Sequence, residues 1–384
     1  NKKTLKYIMS PFFVGYTNLI KTIVGTGVII YPILISSNGL IMTIIMTVLS
    51  CFFSSLGLIF YAMLNHKKNK TLSTIPDNKI IQKIVNFVIV FKCISVGISY
   101  IVIINGIIDN IFKKEYRIFA LLILLIITLP ISTIRKYSKL RFTSFLGIFA
   151  TFSMVLLSLI RLLIIWLKDD LKSQIFLNKK TPLKFSEMLK DLGSYVFAFT
   201  CHQSIFTYQN ESFIPLKIVN KVIISCMISA MIVYLLFGCL NGFLFKIGND
   251  FFKSLPNDKI TMMMQFLFLI TVIFAIPLQL NAATFYLKLE KIIYRYILVL
   301  IVYFIALFLI FNEISIKVLL SSIGGTASCF ICFLISGCYF LLYGDKKYKN
   351  LRYLAYCNLI FGSIVLIITI YNSIFTIIEH FKLK

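Results

Sequence analysis

Two short segments of the 384-residue sequence hold most of its capacity for chemistry. One is Thr200-Cys201-His202-Gln203-Ser204, a run of small or polar residues inside an apolar stretch, with Glu211 following. A histidine can act as a general base, but a base needs an orienting partner and a nucleophile or substrate within reach. Used structurally, the same ring is a plain hydrogen-bonding group. The other segment is Gly25-Thr26-Gly27, preceded by Lys21 and Thr22 and followed by Pro32. Glycine permits backbone conformations that expose N–H groups, and such groups bind anions where they open a helix. Nine cysteines add no metal or redox set. Cys329 and Cys332 lie one helical turn apart, but their segment has no His, Asp or Glu, so packing is the reading for them.

The surrounding composition is that of a membrane protein. Apolar residues make up 59% and charged residues 14%, with mean hydropathy +0.93. A soluble domain runs nearer ~45–50% apolar and ~25% charged, so a soluble surface is excluded. Eleven runs are long and apolar enough for a bilayer helix, at 12–36, 41–64, 84–108, 118–134, 142–167, 192–210, 222–245, 260–287, 296–311, 315–343 and 353–378. No alternation typical of β-barrel strands is present. The longest loop, 168–191, has room only for a short surface helix, and no separate soluble domain remains. The first run is too long for the apolar core of a cleavable signal and lacks a small-residue cleavage site.

The net charge of +25 would suggest nucleic acid in a soluble chain, but here it reports orientation. With the N-terminus cytoplasmic, inner segments hold 21 Lys and Arg and outer segments 15. Three more cations, Lys21, Lys92 and Arg161, fall inside apolar runs. Lys92 and Arg161 sit nearer run ends, where a long side chain snorkels to the headgroups. Lys21 lies nine residues into its run, ~13 Å deep at ~1.5 Å per residue, where an ammonium is costly unless paired or hydrated.

The interrupted runs are the first and the sixth. Unwound backbone at membrane depth is tolerated only where it is buried in protein or lines a wet cavity. Runs 1–5 and 6–10 would then form two inverted repeats, about 12–167 and 192–343, with an extra helix at 353–378 and a short tail at 379–384. Secondary transporters bind substrate where the discontinuous helices of such halves meet.

The same segments resemble the amino acid/auxin permease family of the amino acid–polyamine–organocation superfamily. Asn18, Leu19, Gly25, Thr26, Gly27 and Pro32 fit its first span. Phe197, Phe199, Cys201, His202, Ile205 and Glu211 fit its sixth. Pro277-Leu-Gln-Leu280 and Ile323-Gly-Gly-Thr326 resemble patterns of its eighth and tenth spans. An Arg usual after the eighth-span motif is absent from Asn281–Thr284, and a late Pro of the tenth span is replaced by Ser336. Leu19-Ile20-Lys21 is similar to the proton-coupled and fungal vacuolar branches, whereas sodium-coupled relatives tend to carry Asn where Lys21 stands.

The resemblance implies an all-α polytopic protein of eleven transmembrane helices, a LeuT-like 5+5 inverted repeat plus one helix, with helices 1 and 6 broken. It implies alternating-access transport of amino acids, sodium-independent, with a proton as coupling ion and no other cofactor. The implied substrate site comprises Thr22, Gly25, Thr26, Gly27, Phe199, Thr200, His202 and Ser204, with no metal. Lys21 and Glu211 are the coupling candidates; against this, Lys21 snorkels, or Glu211 pairs with Lys217 or Lys221 at the surface. The expected partners are an amino acid and the bilayer, without nucleic acid, for a monomer in the plasma membrane or a vacuolar or lysosome-like membrane. An amino acid-sensing transceptor would share the pocket. An intramembrane enzyme using His202 is the weaker alternative, and a channel lacks any filter-like repeat or charged ring.

Overall fold

The computed structural model describes residues 11–65, 70–111, 116–132, 141–167, 185–212 and 215–382. All regular structure among them is helical. That follows from the apolar runs, because a helix satisfies its backbone hydrogen bonds internally where water is absent. The helices are α1 (Pro11–Ile23), α2 (Gly27–Asn38), α3 (Leu40–Asn65), α4 (Lys79–Ile111), α5 (Arg117–Ile131), α6 (Arg141–Leu167), α7 (Phe185–Ala198) and α8 (His202–Ser212). They continue with α9 (Leu216–Gly242), α10 (Lys259–Tyr286), α11 (Ile292–Phe311), α12 (Ile316–Ile323), α13 (Ser336–Tyr343) and α14 (Lys349–Lys382). Wider π-helical turns at Gly324–Ser328 and Phe330–Ile335 join α12 to α13 without a loop.

Eight helices among the described residues are long and apolar enough to cross a bilayer, and the bent pair α1–α2 would make a ninth. The α5 helix has 15 residues and falls short. The α7–α8 pair, of 14 and 11 residues, carries the polar run and does not pass on apolarity. Several helices outrun their apolar segments: α4 begins at Lys79 rather than 84, and α7 at Phe185 rather than 192. Backbone hydrogen bonding carries them on past the last apolar residue.

The burial pattern is that of a chain solvated by lipid. Phe304, Ile126, Ile367 and Leu342 point outward, whereas Ser50, Ser54, Thr43, Thr47, Asn241 and Asn358 are buried. Long helices α4, α6, α9 and α10 pack around the two interrupted segments, α4 along α10 and α9 against both α1 and α2. The α7 helix presses against α12 and the following π turn through glycine. A Cβ on Gly193 would overlap the Ser321 carbonyl oxygen, and one on Gly324 would overlap that of Gly193.

Candidate functional site

The first interruption follows from its glycines. The last turn of α1 closes with Val24 N–H donating to Ile20 O, and Gly25 N–H then turns back to Ile23 O at 2.9 Å. A new helix starts at Gly27, bent 48° from the first. Its first-turn N–H groups have no acceptor inside their own helix and carry the positive end of its dipole. The second interruption is Phe199-Thr200-Cys201, between α7 and α8. Thr200 N–H donates to Phe197 O at 3.1 Å, and the Thr200 hydroxyl donates to Val196 O at 2.9 Å.

Tyr234 of α9 ties the two interruptions together. Its hydroxyl lies 2.6 Å from Ile23 O and 2.8 Å from Ala198 O, the carbonyls that end α1 and α7. The ring is fully buried, stacked on Tyr31 at 4.8 Å and edge-on to Phe199 at 5.5 Å. Gly27 leaves room for this contact. A Cβ there would sit 2.9 Å from the Tyr234 hydroxyl and 3.1 Å from Ala198 Cα.

Beside this junction lies a small cavity of about 20 Å³. The first segment contributes Thr22, Ile23, Gly25, Thr26 and Gly27, and the second Phe197 and Thr200. The α4 helix adds Lys92, Val96 and Tyr100, and α10 adds Gln279 from the Pro-Leu-Gln-Leu motif. Five of the eight residues read as substrate-binding therefore meet here.

The other three lie elsewhere. Phe199 is buried against Tyr234. Ser204 stands in the first turn of α8, outside the cavity lining. His202 is fully buried and faces α3 and the π turns. Its Nε2 lies 3.0 Å from Ser54 O and its Nδ1 3.1 Å from Cys332 Sγ. A carbonyl can only accept, so Nε2 carries the proton, and Nδ1 is left to accept from the thiol. Cys332 Sγ also lies 3.5 Å from the Thr200 hydroxyl. The thiol thus has specific partners that the sequence of its own segment does not disclose.

Lys21 ends α1, and its side chain runs to α6. A Cβ on Gly147 would lie 3.4 Å from Lys21 Cε and 3.6 Å from Thr271 Cγ2 of α10, so three elements converge there. The side chain of Glu211 lies outside the described residues.

Neither Lys92 nor Arg161 snorkels, which corrects the sequence-based expectation. Arg161 is buried and donates to the Thr261 hydroxyl at 2.7 Å and to Asp258, the residue that caps α10. Lys92 is 2% exposed and faces the cavity. Lys92 turns inward to the cavity wall rather than outward along α4.

At the end of the bundle where α2 stops, Asp191 is buried among three partners. Lys317 Nζ lies 2.8 Å away, Asn38 Nδ2 2.9 Å and the Ser37 hydroxyl 3.2 Å. Asn38 also donates to the Tyr195 hydroxyl at 3.1 Å. This network joins α2, α7 and α12 above the cavity. Sequence reasoning placed its charges in outer segments and did not foresee their burial.

Membrane-crossing helices, two of them interrupted around one shared polar cavity, define a multi-pass transport protein. The family profile described as "Transmembrane amino acid transporter protein" matches residues 11–375, and the chain belongs to that family. It is 25% identical over 373 residues to vacuolar amino acid transporter 5 of Schizosaccharomyces pombe, covering 87% of this chain and 85% of that one. It is 28% identical over 208 residues to vacuolar amino acid transporter 7 of Saccharomyces cerevisiae, covering 50% of this chain and 41% of that one. In fold it is similar to a manganese transporter of Eremococcus coleocola, with TM-score 0.62 at 13% identity over 99% of this chain and 88% of that one. The resemblance to the amino acid/auxin permeases and their vacuolar branch is thereby established, and these relatives are transporters rather than enzymes.

Proposed function

We propose that this chain is a secondary active transporter that moves amino acids by alternating access, independently of sodium, as a monomer. The observation that carries the reading is the meeting of both helix interruptions at one polar cavity. The substrate carboxylate binds the N–H groups opening α2, at Thr26 and Gly27, where the dipole is positive, while Gly25, whose N–H is held by Ile23 O, shapes the turn. The substrate ammonium faces the carbonyl of Thr200, the residue of the second interruption that lines the cavity. Thr22 and the Thr200 hydroxyl shape the wall. His202 acts one step behind it, holding α8 to α3 and to the π turns through Ser54 and Cys332.

Eleven crossings in a 5+5 inverted repeat plus one helix, with the N-terminus cytoplasmic, accommodate the interruptions at corresponding places in the two halves. Lys21 places an ammonium where α1, α6 and α10 converge and exchanges its proton during the cycle. Glu211 is the second coupling candidate. The names of the relatives support a vacuolar or lysosome-like membrane over the plasma membrane.

Uptake into proteoliposomes tests the scheme, with sodium replaced and a pH gradient imposed. The expected result is amino acid flux that persists without sodium and responds to the gradient. Absence of flux for every amino acid, alone or in exchange, would overturn it. A Lys21→Ala variant that keeps its response to the pH gradient would remove the coupling role of that residue.

A further inference from the structure

We propose that the cavity selects amino acids with an acidic side chain, and that Lys92 is the residue that reads the second carboxylate. The inference rests on the transport reading above and adds a substrate class to it.

Lys92 is 2% exposed, yet it lines the cavity rather than packing away from it. Its burial within the bundle keeps it from the lipid headgroups. Among the described residues no acid stands opposite it. The cavity lining holds no Asp or Glu, and none of the ion pairs among the described residues includes Lys92. The other two cations in apolar runs are placed differently: Arg161 meets Asp258, and Lys21 runs to α6, outside the lining. An ammonium withdrawn from water without a counter-charge is strongly unfavourable.

The rest of the cavity adds to the same sign. The start of α2 presents N–H groups and a positive dipole end from the opposite wall. A neutral zwitterion brings one carboxylate and one ammonium. Its carboxylate satisfies the α2 start and its ammonium the Thr200 carbonyl, which leaves Lys92 uncompensated. A substrate with a side-chain carboxylate carries one further negative charge, and that charge matches Lys92. Tyr100 and Gln279 border the same space and offer neutral hydrogen-bonding groups to the remaining carboxylate lone pairs. A basic side chain would set two cations against each other in a site of low polarity.

The experiment compares glutamate with glutamine, and aspartate with asparagine, as radiolabelled substrates of the full chain in proteoliposomes. These pairs match in shape and differ in charge. The expected result is a preference of about ten- to hundredfold in kcat/KM for the acid, the range of a hydrogen bond to a charged group. Lys92→Met should bring the ratio close to one, and Lys92→Arg, which keeps the charge, should preserve a preference. A wild-type chain that favours glutamine or lysine over glutamate overturns the proposal, even if Lys92→Met does not fold. Equal ratios in wild type and Lys92→Met overturn it as well. Flux of neutral amino acids without an acidic preference defeats this inference and leaves the transport reading standing. Absence of flux for all amino acids defeats both.

Discussion

Replacing Tyr234 by Phe removes a single oxygen from the place where the two interruptions meet. The ring volume is kept, and so is the stacking on Tyr31 at 4.8 Å. What is lost is the O–H that the Ile23 and Ala198 carbonyls share at 2.6 and 2.8 Å. A hydroxyl has one proton, so the loss is counted once even though two acceptors are affected. Leaving a buried acceptor unmet costs about 1–3 kcal/mol. If the contact holds the α1 and α7 ends in the binding geometry, that energy appears as a drop in apparent substrate affinity of about 5- to 150-fold. The assay is concentration-dependent uptake into proteoliposomes, with thermal unfolding in detergent as a parallel reading. The expected result is a raised KM together with a lowered unfolding midpoint. A Tyr234→Phe protein whose KM and midpoint both match wild type would refute the reasoning, since the hydroxyl would then be dispensable.

The Asp191–Lys317 pair closes one end of the bundle, and Lys317→Met leaves the carboxylate buried without its cation. Breaking such a pair costs about 3–5 kcal/mol, which should shift the population toward a state open at that end. Faster labelling of a cysteine placed at Ser37 by an impermeant thiol reagent would report the shift; an unchanged rate would count against it, and exchanging the two charged residues should restore the slow rate. Between α9 and α10, burial pushes the Asp250 carboxyl above the usual range, with Lys253 opposing. The folded protein therefore keeps this proton at pH values where the unfolded chain has lost it, so stability falls as pH rises through the ordinary aspartate range toward the raised value. Asp250→Asn should flatten that part of the profile and raise the unfolding midpoint at neutral pH, as read by melting curves at successive pH values. A variant with the wild-type slope would exclude the assignment.

The interruptions were legible because their composition conflicts with the helix around them: Gly25-Thr26-Gly27 and the polar run at 200–204 do not belong in an uninterrupted apolar helix. Four of the cavity residues, Gly25, Thr26, Gly27 and Thr200, lie in those two segments. Tyr234 was not legible, because a tyrosine in an apolar run reads as packing and only the fold shows where its hydroxyl goes. Lys92 carried a signal, a cation inside an apolar run, but which way it points depends on the packing of α4 against α10, and only the fold shows it turned to the cavity. His202 was found as a polar residue, but its direction could not be, because its partners Ser54 and Cys332 come from distant parts of the chain. The charges at Asp191 and Lys317 looked like ordinary loop charges until α7 and α12 brought them together.

The π turns between α12 and α13 have a geometric consequence. Gly325 faces Thr369, Cys329 Sγ donates to Gly362 O, Phe333 meets Phe361 at 5.2 Å between centroids, and Gly337 lies against Leu359. These four positions are spaced by four residues. In an ordinary α-helix four residues turn ~400°, so each step would drift ~40° and the stripe would have wound ~120° around the helix by Gly337. The wider turns cancel much of that drift. The stripe therefore stays parallel to α14 along its whole length, and a second stripe, Gly324, Cys332 and Ser336, remains turned toward α7, α8 and α3. One helix is thereby made into a straight two-sided rail between the periphery of the bundle and its interrupted centre.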